Sequence, residues 1–393
     1  MQLTDAINLH DMRELARRRL PRILFDYIDG GVDDERGLER NRQAYSKHCL
    51  LPRYLVDVSA CDQSAQLFGR RYNHPFGISP MGGCGLFRRG ADLMLAEAAA
   101  EANIPLALST GSTESLEAVA RVAPQNTWFQ LYGARNREMS LDMVRRARDA
   151  GISTLVFSID VPVMANRERN RRNGFSRPLR LTPSVMMQVL ARPAWLLEHL
   201  RHGLPKMGNF VPYLPAGAGP HELAGLFESS IPAPAQTWDM VATLRDLWPG
   251  TLVIKGILHP QDAVRSREAG ADGAILSNHG ARQLDAAPAP LEMLPAVRAA
   301  AGNQFGVLLD SGIRRGSDLV IARCLGAGFG LLGRPFLYAA VAGGGSGVRK
   351  AIGMLANEIR LVLTQLGCAR FEDLDRSHLA ASAFISQTEE SQG

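Results

Sequence analysis

His279 and Arg282 stand in one stretch, Ser277-Asn278-His279-Gly280-Ala281-Arg282-Gln283-Leu284-Asp285, with only small residues between them. An imidazole takes or gives a proton near neutral pH. A guanidinium grips a carboxylate through a planar fork of donors. The pair therefore has the chemistry of a base beside an anion clamp. An apolar run, Gly273-Ala274-Ile275-Leu276, leads into it and reads as a short buried strand, so the polar burst begins at a strand's C-terminal end.

Elements of the kind needed to place that loop recur along the chain. From Pro75 onward, apolar runs alternate with polar loops and helical patterns: Phe76–Pro80, Leu106–Ser109, Trp128–Tyr132, Thr154–Asp160, Leu252–Lys255, Gly273–Ser277, Gly306–Asp310 and Gly328–Gly333. Helical stretches such as Asp92–Asn103, Leu141–Ala150, Asp262–Ala269 and Asp318–Leu325 lie between them, and Gly151, Gly270 and Gly326 are placed to close three of these. Eight strands alternating with helices predict an α/β fold of the (β/α)8 TIM-barrel kind. A doubly wound sheet shares the rhythm, but no Gly-x-Gly-x-x-Gly and no Walker loop follows any of the runs. A helical lead-in over 1–74 precedes the barrel, with Leu9, Met12, Leu15 and Ala16 on one face, and a single domain over 1–393 is expected.

Polar residues fall where a barrel builds its active site. Ser109, Gln130, Tyr132, Ser158, Asp160, Lys255, Ser277, His279, Asp310 and Arg334 all sit at or just past strand C-termini. One such residue is an ordinary strand-end hydrogen bond; ten on one rim point to a site. After strand seven comes Asp310-Ser311-Gly312-Ile313-Arg314-Arg315-Gly316, and after strand eight Gly333-Arg334-Pro335. Small residues with arginines in these two loops form the phosphate site of many barrels. Tyr27, ahead of the Gly30-Gly31 turn, reads by itself as a packing feature.

The barrel rhythm is broken by a long insertion after strand four, residues 161–250. It opens on the basic stretch Asn166 to Arg172 and continues into an apolar patch, Val185 to Leu197, broken by Arg192-Pro193. The patch, taken as residues 183–200, has three readings: a subunit interface, a cover over the barrel, or a peripheral membrane contact with Trp195 as its anchor.

Composition narrows the function classes. The chain is 46% hydrophobic and 21% charged with a net charge of +5, an ordinary globular balance that suits anionic substrates, phosphate cofactors or an anionic membrane surface. Its arginine runs are short and not interleaved with aromatics, so no nucleic-acid partner is expected. Five scattered cysteines offer neither a disulfide framework nor a metal site, so no metal is expected. With no signal-like start and no apolar run of spanning length, a reducing, cytoplasmic setting is expected.

On these residues the chain resembles the FMN-dependent α-hydroxy acid dehydrogenases and oxidases, from Leu20-Pro21 to Gly367-Cys368. The signature is Ser277 to Asp285, supported by Asp310 to Gly316 and Leu332-Gly333-Arg334. Tyr27-Ile28-Asp29-Gly30-Gly31, Arg167-Glu168-Arg169 and Arg201-His202-Gly203 look most like the (S)-mandelate dehydrogenases of that family, while Val253 to Leu258 and Cys84 to Gly90 look at least as much like its bacterial L-lactate dehydrogenases. The resemblance implies FMN across the barrel mouth, with its phosphate against Gly312, Arg314, Gly333 and Arg334 and with Asp310 beside it. It implies Lys255 near flavin N1 and C2=O, Ser109, Gln130, Ser158 and Ser277 along the ring edge and ribityl chain, and Pro80, Met81 and Gly82 on the dimethyl and N5 side. For the substrate it implies an Arg167–Arg282 carboxylate clamp, hydrogen bonds from Tyr27 and Tyr132, His279 as base and Asp160 as stabiliser of the imidazolium. Hydride transfer to flavin N5 and prior abstraction of the Cα proton both use His279.

Two departures bear on the substrate. Gly82 and Gly111 stand where oxidases of the family carry larger residues, which favours a mandelate-sized acid and a quinone or other non-oxygen acceptor. Met81, where Thr or Val is usual, adds an apolar group near the ring. The resemblance also implies a homotetramer, and places 183–200 where membrane-associated members dock, on the cytoplasmic side of the inner membrane. L-lactate is the alternative substrate, with a broad oxidase using O2 beside it. A barrel isomerase would not require the His279, Arg282 and Arg167 trio, and a flavin-binding sensor would not need the full catalytic set.

Overall fold

The computed structural model describes residues 1–176, 180, 182–215 and 217–381. Residues 177–179, 181 and 216 of the insertion and the 382–393 end of the expected domain lie outside the described residues.

Eight parallel strands close into a barrel in chain order: β1 (Phe76–Ile78), β2 (Leu106–Ser109), β3 (Thr127–Tyr132), β4 (Thr154–Ser158), β5 (Thr251–Ile257), β6 (Gly273–Leu276), β7 (Gly306–Leu309) and β8 (Phe329–Leu332), with β8 pairing back onto β1. Each is short and buried on both faces, which is why each reads as an apolar run rather than as an alternating one. The predicted helices appear as Ala91–Glu101, Arg137–Asp149, Pro260–Glu268 and Gly316–Cys324. The closing glycines Gly151, Gly270 and Gly326 all take positive φ.

Alternation along the strands makes the site. One layer of the barrel interior is Ala107, Trp128, Val156, Val253, Ile275, Leu308 and Leu331. Side chains two residues on point the same way. The next layer toward the C-terminal ends is therefore Ser109, Gln130, Ser158, Lys255, Ser277, Asp310 and Gly333, joined from β1 by Ser79, whose Oγ donates to Asp310 Oδ2 at 3.1 Å. The barrel is thus apolar below and polar at its rim. Its other end is plugged by the hairpin Ala65–Leu67 and Arg70–Tyr72 with Phe68, against which Gly273 and Gly306 leave no space for a side chain.

The lead-in forms the helices Leu9–Arg19, Arg22–Asp29 and Arg36–Ser46. Leu9, Met12 and Ala16 are buried as expected, and Leu15 is partly buried against the same core. The insertion is largely helical, with Glu168–Arg172, Pro183–Leu190, Pro193–His202 and Pro220–Ser230 ahead of the barrel helix Trp238–Leu247. One expectation is corrected here. Trp195 is 4% exposed, donates from Nε1 to the Leu86 carbonyl at 2.9 Å and stacks on His199, so it anchors the insertion to the barrel and not to a membrane. Val185 and Val189 are buried with it. The opposite face of the same two helices, Met186, Met187, Leu190, Leu197 and Leu200, is exposed.

Candidate active site

The loop after β6 is built to project His279. Three successive residues, His279, Gly280 and Ala281, take left-handed backbone with φ of +57°, +64° and +57°. Such a φ is uncommon for a histidine and marks a conformation held by its surroundings. The holding groups are identifiable. Ser277 Oγ accepts from His279 N, Ser311 Oγ accepts from Gly280 N, and Asn278 Oδ1 accepts from Ala281 N. Asn278 is in turn paired reciprocally with buried Asn41 of the lead-in, at 2.7 and 2.9 Å. Asp285 accepts from the backbone of Arg36 and Gly37. At Gly31 an added Cβ would lie 2.8 Å from the Ala281 carbonyl oxygen, so the turn behind Tyr27 is a close approach that seats this loop.

The protonation geometry of His279 follows from its partners. Nδ1 lies 3.0 Å from Asp160 Oδ1, and an ionised carboxylate only accepts, so Nδ1 carries the hydrogen and Nε2 the lone pair. Nε2 lies 3.4 Å from the Tyr132 hydroxyl. Burial holds the Asp160 carboxyl up, but His279 and Lys255 outweigh it and leave the group below its ordinary value. Burial pulls the His279 pKa below its ordinary value, with Asp160 resisting and Lys255 adding to the fall. A neutral base at neutral pH results. Gly256, at φ +107° on β5, admits Asp160: an added Cβ would stand 2.6 Å from the aspartate's own.

Two guanidiniums flank the base. Arg282 donates to the carbonyls of Tyr27 and Gly30 at 2.8 and 2.9 Å and lies 5.0 Å from the Tyr27 ring centre. Arg167, from the insertion, donates to the Arg282 carbonyl at 3.3 Å and to Gln283 Oε1 at 3.4 Å. Gln283 Nε2 reaches the Asp160 carbonyl at 3.2 Å, tying base, aspartate and clamp into one network. Tyr27 is stacked on Phe175 with ring centres 4.3 Å apart.

These groups open on a cavity of about 220 Å³ at the barrel mouth, which continues past Met81, Ser109 and Lys255 to Gly312, Arg314 and Arg334. Tyr27, Pro80, Gly82, Tyr132, Arg167, His279, Arg282, Asp310 and Gly333 also line it. Gln130, Ser158, Asp160 and Ser277 lie behind this surface. Ser277 Oγ is used inside the protein, accepting from Lys255 Nζ at 2.9 Å as well as from His279 N. Val161, Met164, Phe227 and Ile231 of the insertion, together with Phe87, complete the wall. No pattern in the sequence singles these out, since they are isolated apolar residues on loops and short helices.

The family profile for FMN-dependent dehydrogenases matches residues 16–381. The chain belongs to the FMN-dependent dehydrogenases. It is 40% identical over 375 residues to (S)-mandelate dehydrogenase of Pseudomonas putida, covering 95% of this chain and 94% of that one. It is 38% identical over 371 residues to L-lactate dehydrogenase of Caulobacter sp. (strain K31), covering 94% and 97%. A crystal structure of the monotopic membrane protein (S)-mandelate dehydrogenase superposes with a TM-score of 0.92 at 40% identity, covering 96% of this chain and 99% of that one. A crystal structure of mandelate oxidase gives 0.81 at 35% identity, covering 95% and 98%.

As an FMN-dependent dehydrogenase the protein needs a planar polar slot with an anion cradle, and its residues fit. Both amide atoms of Gln130 and the hydroxyl of Ser158 are buried at the rim with no hydrogen-bond partner among the described residues, which is costly unless a ligand edge supplies one. Arg314 is partly buried, that burial pulls its pKa down to about 10, and among the described residues it has no carboxylate in ion-pair contact. Arg314 and Arg334 stand at the starts of two helices, Gly316–Cys324 and Arg334–Leu366, whose dipoles favour an anion, while the first N–H of the former is already taken by Glu358 Oε2 at 2.7 Å. Arg334 also donates to the carbonyls of Ile28, Gly30 and Gly280, so the phosphate end is joined to both the lead-in and the His279 loop.

Proposed function

We propose that this enzyme oxidises an L-2-hydroxy acid with an aryl side chain, best matched by (S)-mandelate, to the 2-keto acid. The observation that carries this reading is a neutral imidazole, locked through Nδ1 by Asp160, with Nε2 beside Tyr132, in a cavity that the guanidiniums of Arg167 and Arg282 also line. Arg167 and Arg282 hold the carboxylate, and Tyr27 and Tyr132 orient it and the hydroxyl, which fixes the Cα–H toward the ring site. His279 Nε2 takes the hydroxyl proton as the Cα–H leaves as hydride, and Asp160 stabilises the imidazolium formed. FMN, when bound, supplies the two-electron acceptor. Pro80, Met81, Gly82, Ser109, Gln130, Ser158 and Lys255 hold its ring and ribityl chain, with Ser277 supporting Lys255 from behind, and Asp310, Gly312, Arg314, Gly333 and Arg334 its phosphate end. The side-chain-free wall at Gly82 and Gly111 favours an aryl group, and the relatives named for mandelate support it. Anaerobic addition of (S)-mandelate, (R)-mandelate, L-lactate and glycolate to the yellow holoenzyme tests the reading. (S)-Mandelate is expected to bleach the flavin band with the highest kcat/KM and (R)-mandelate not at all; a preference for L-lactate names the alternative, and no bleaching by any acid removes the class.

The reading includes a quinone acceptor, a homotetramer and peripheral attachment at the cytoplasmic face of a membrane. Among the described residues no helix is long and apolar enough to cross a membrane. Met187 and Leu200 are 67% and 70% exposed, on a face bordered by Arg201, His202 and Lys206, and such an apolar stripe with basic neighbours suits an anionic bilayer surface. The double variant Met187→Glu, Leu200→Glu is expected to abolish sedimentation with anionic vesicles while turnover with a soluble dye acceptor persists. Unchanged vesicle binding contradicts the docking face.

A further inference from the structure

The apolar wall of the cavity is shared between the barrel loops that carry Gly82 and Gly111 and the insertion that carries Met164, Phe227 and Ile231. With carboxylate at Arg167 and Arg282 and hydroxyl at His279, an acid's side chain is directed to the cavity's remaining wall, which is apolar: Gly82, Gly111, Met164, Phe227 and Ile231. Gly82 and Gly111 are neighbours, Gly83 N donating to the Gly111 carbonyl at 2.8 Å, so this part of the wall carries no side chain of its own. The space is taken by Phe227 of the Pro220–Ser230 helix, whose Cε2 and Cζ lie 3.4 and 3.6 Å from where a Cβ on Gly111 would stand.

Phe227 is held there by a built support. Its ring meets that of fully buried Phe210 edge-on, with centres 5.3 Å apart. The residue before it, Asn209, is also fully buried, and Nδ2 donates to the carbonyls of Ser109 and Thr110 and to Ser112 Oγ, while Oδ1 accepts from Leu116 N. Asn209 thus bolts the insertion onto the loop after β2 that carries Gly111. The far end of the Phe227 helix is fixed to the loop after β3, where Arg135 N donates to the Ser230 carbonyl at 2.9 Å and Arg135 Nε to the Pro232 carbonyl at 2.9 Å.

We infer that Phe227, positioned by Phe210 and Asn209, is the residue that sets which acid side chain the enzyme accepts; this rests on the 2-hydroxy acid reading above. Phe227, packed onto the bare glycine wall, bounds the apolar slot left for the acid's side chain, which a phenyl group fills and a methyl group does not. Filling such a slot discriminates by roughly tenfold or more.

The test compares kcat/KM for (S)-mandelate, L-lactate and 2-naphthylglycolate in the FMN-loaded wild type and in Phe227→Ala, Phe227→Tyr and Asn209→Ala. Phe227→Ala is expected to lower the mandelate-to-lactate ratio about tenfold and to raise the naphthylglycolate-to-mandelate ratio. Phe227→Tyr adds a hydroxyl at the Cζ that faces Gly111 and is expected to narrow the slot, lowering the naphthylglycolate-to-mandelate ratio, the opposite of Phe227→Ala. Asn209→Ala follows Phe227→Ala in its ratios, and its flavin content shows whether the rim has stayed intact. A wild-type ratio in Phe227→Ala, with the wild type reducing its flavin, overturns the inference alone. A wild type reduced by no 2-hydroxy acid overturns the functional reading and this inference with it.

Discussion

His279→Ala is expected to leave the flavin bound and to lower the rate of flavin reduction by roughly 10²- to 10⁴-fold, the range for loss of a positioned base. Retention of flavin follows from position. In the proposed site the phosphate end rests on Arg314 and Arg334 and the ring edge on Gln130, none of which bonds to the imidazole. The bonds that hold this loop run from the main-chain N–H groups of His279, Gly280 and Ala281, so the change removes a proton acceptor without removing them. The pH dependence identifies the group. Since burial depresses the His279 pKa, kcat/KM should rise with pH on the acid side and level off below neutrality. Asp160 works against that depression, so Asp160→Asn should move the acid limb to still lower pH while lowering the plateau, because the imidazolium loses its counter-charge. Stopped-flow reduction across pH, with flavin content read from absorbance, checks both; a His279→Ala enzyme with retained turnover would falsify the base assignment.

How far these groups were readable without coordinates depends on what locates each one. The eight strands are legible because each is a buried run ended by a polar residue, and period two then puts Ser109, Gln130, Ser158, Lys255, Ser277 and Asp310 on one inner layer without further information. His279 and Arg282 share a loop and declare themselves by type. Asn41 does not: its amide matters only because Asn278, far along the chain, folds back against it. The insertion is opaque for a different reason. Its two central helices carry apolar residues on both faces, so type alone cannot say that Trp195 faces Leu86 while Leu197 and Leu200 face outward. Phe227 is a lone aromatic on the short helix Pro220–Ser230, and only the bare backbone of Gly111 beside it gives it a purpose. The glycine pair 82 and 111 showed that space existed; the coordinates show what borders it.

Lys255→Met is expected to have the second large effect, on stability and chemistry together. Lys255 is 3% exposed, with Nζ 2.9 Å from Ser277 Oγ, 3.1 Å from Asp310 Oδ2 and 3.8 Å from Asp160 Oδ2. Burial opposes its charge, but Asp310 and Asp160 outweigh burial and hold the ammonium ionised. Removing it strands two buried carboxylates, a loss on the order of 3–5 kcal/mol. Arginine should not restore it, since a planar fork does not fit a slot shaped for a point charge. The double variant Lys255→Met, Asp310→Asn separates two consequences. Much of the lost thermal stability should return with the stranded charge gone, whereas flavin reduction at saturating FMN should stay slow, because the cation that balances charge gained at the rim is still missing. The acid limb gives an independent sign. Lys255 lowers the His279 pKa, so its loss should move the limb of kcat/KM to higher pH, opposite to Asp160→Asn. Limbs moving the same way in both variants would mean that His279 does not share one electrostatic centre with Asp160 and Lys255, and the ion network at the barrel's rim would then be a support for the fold alone.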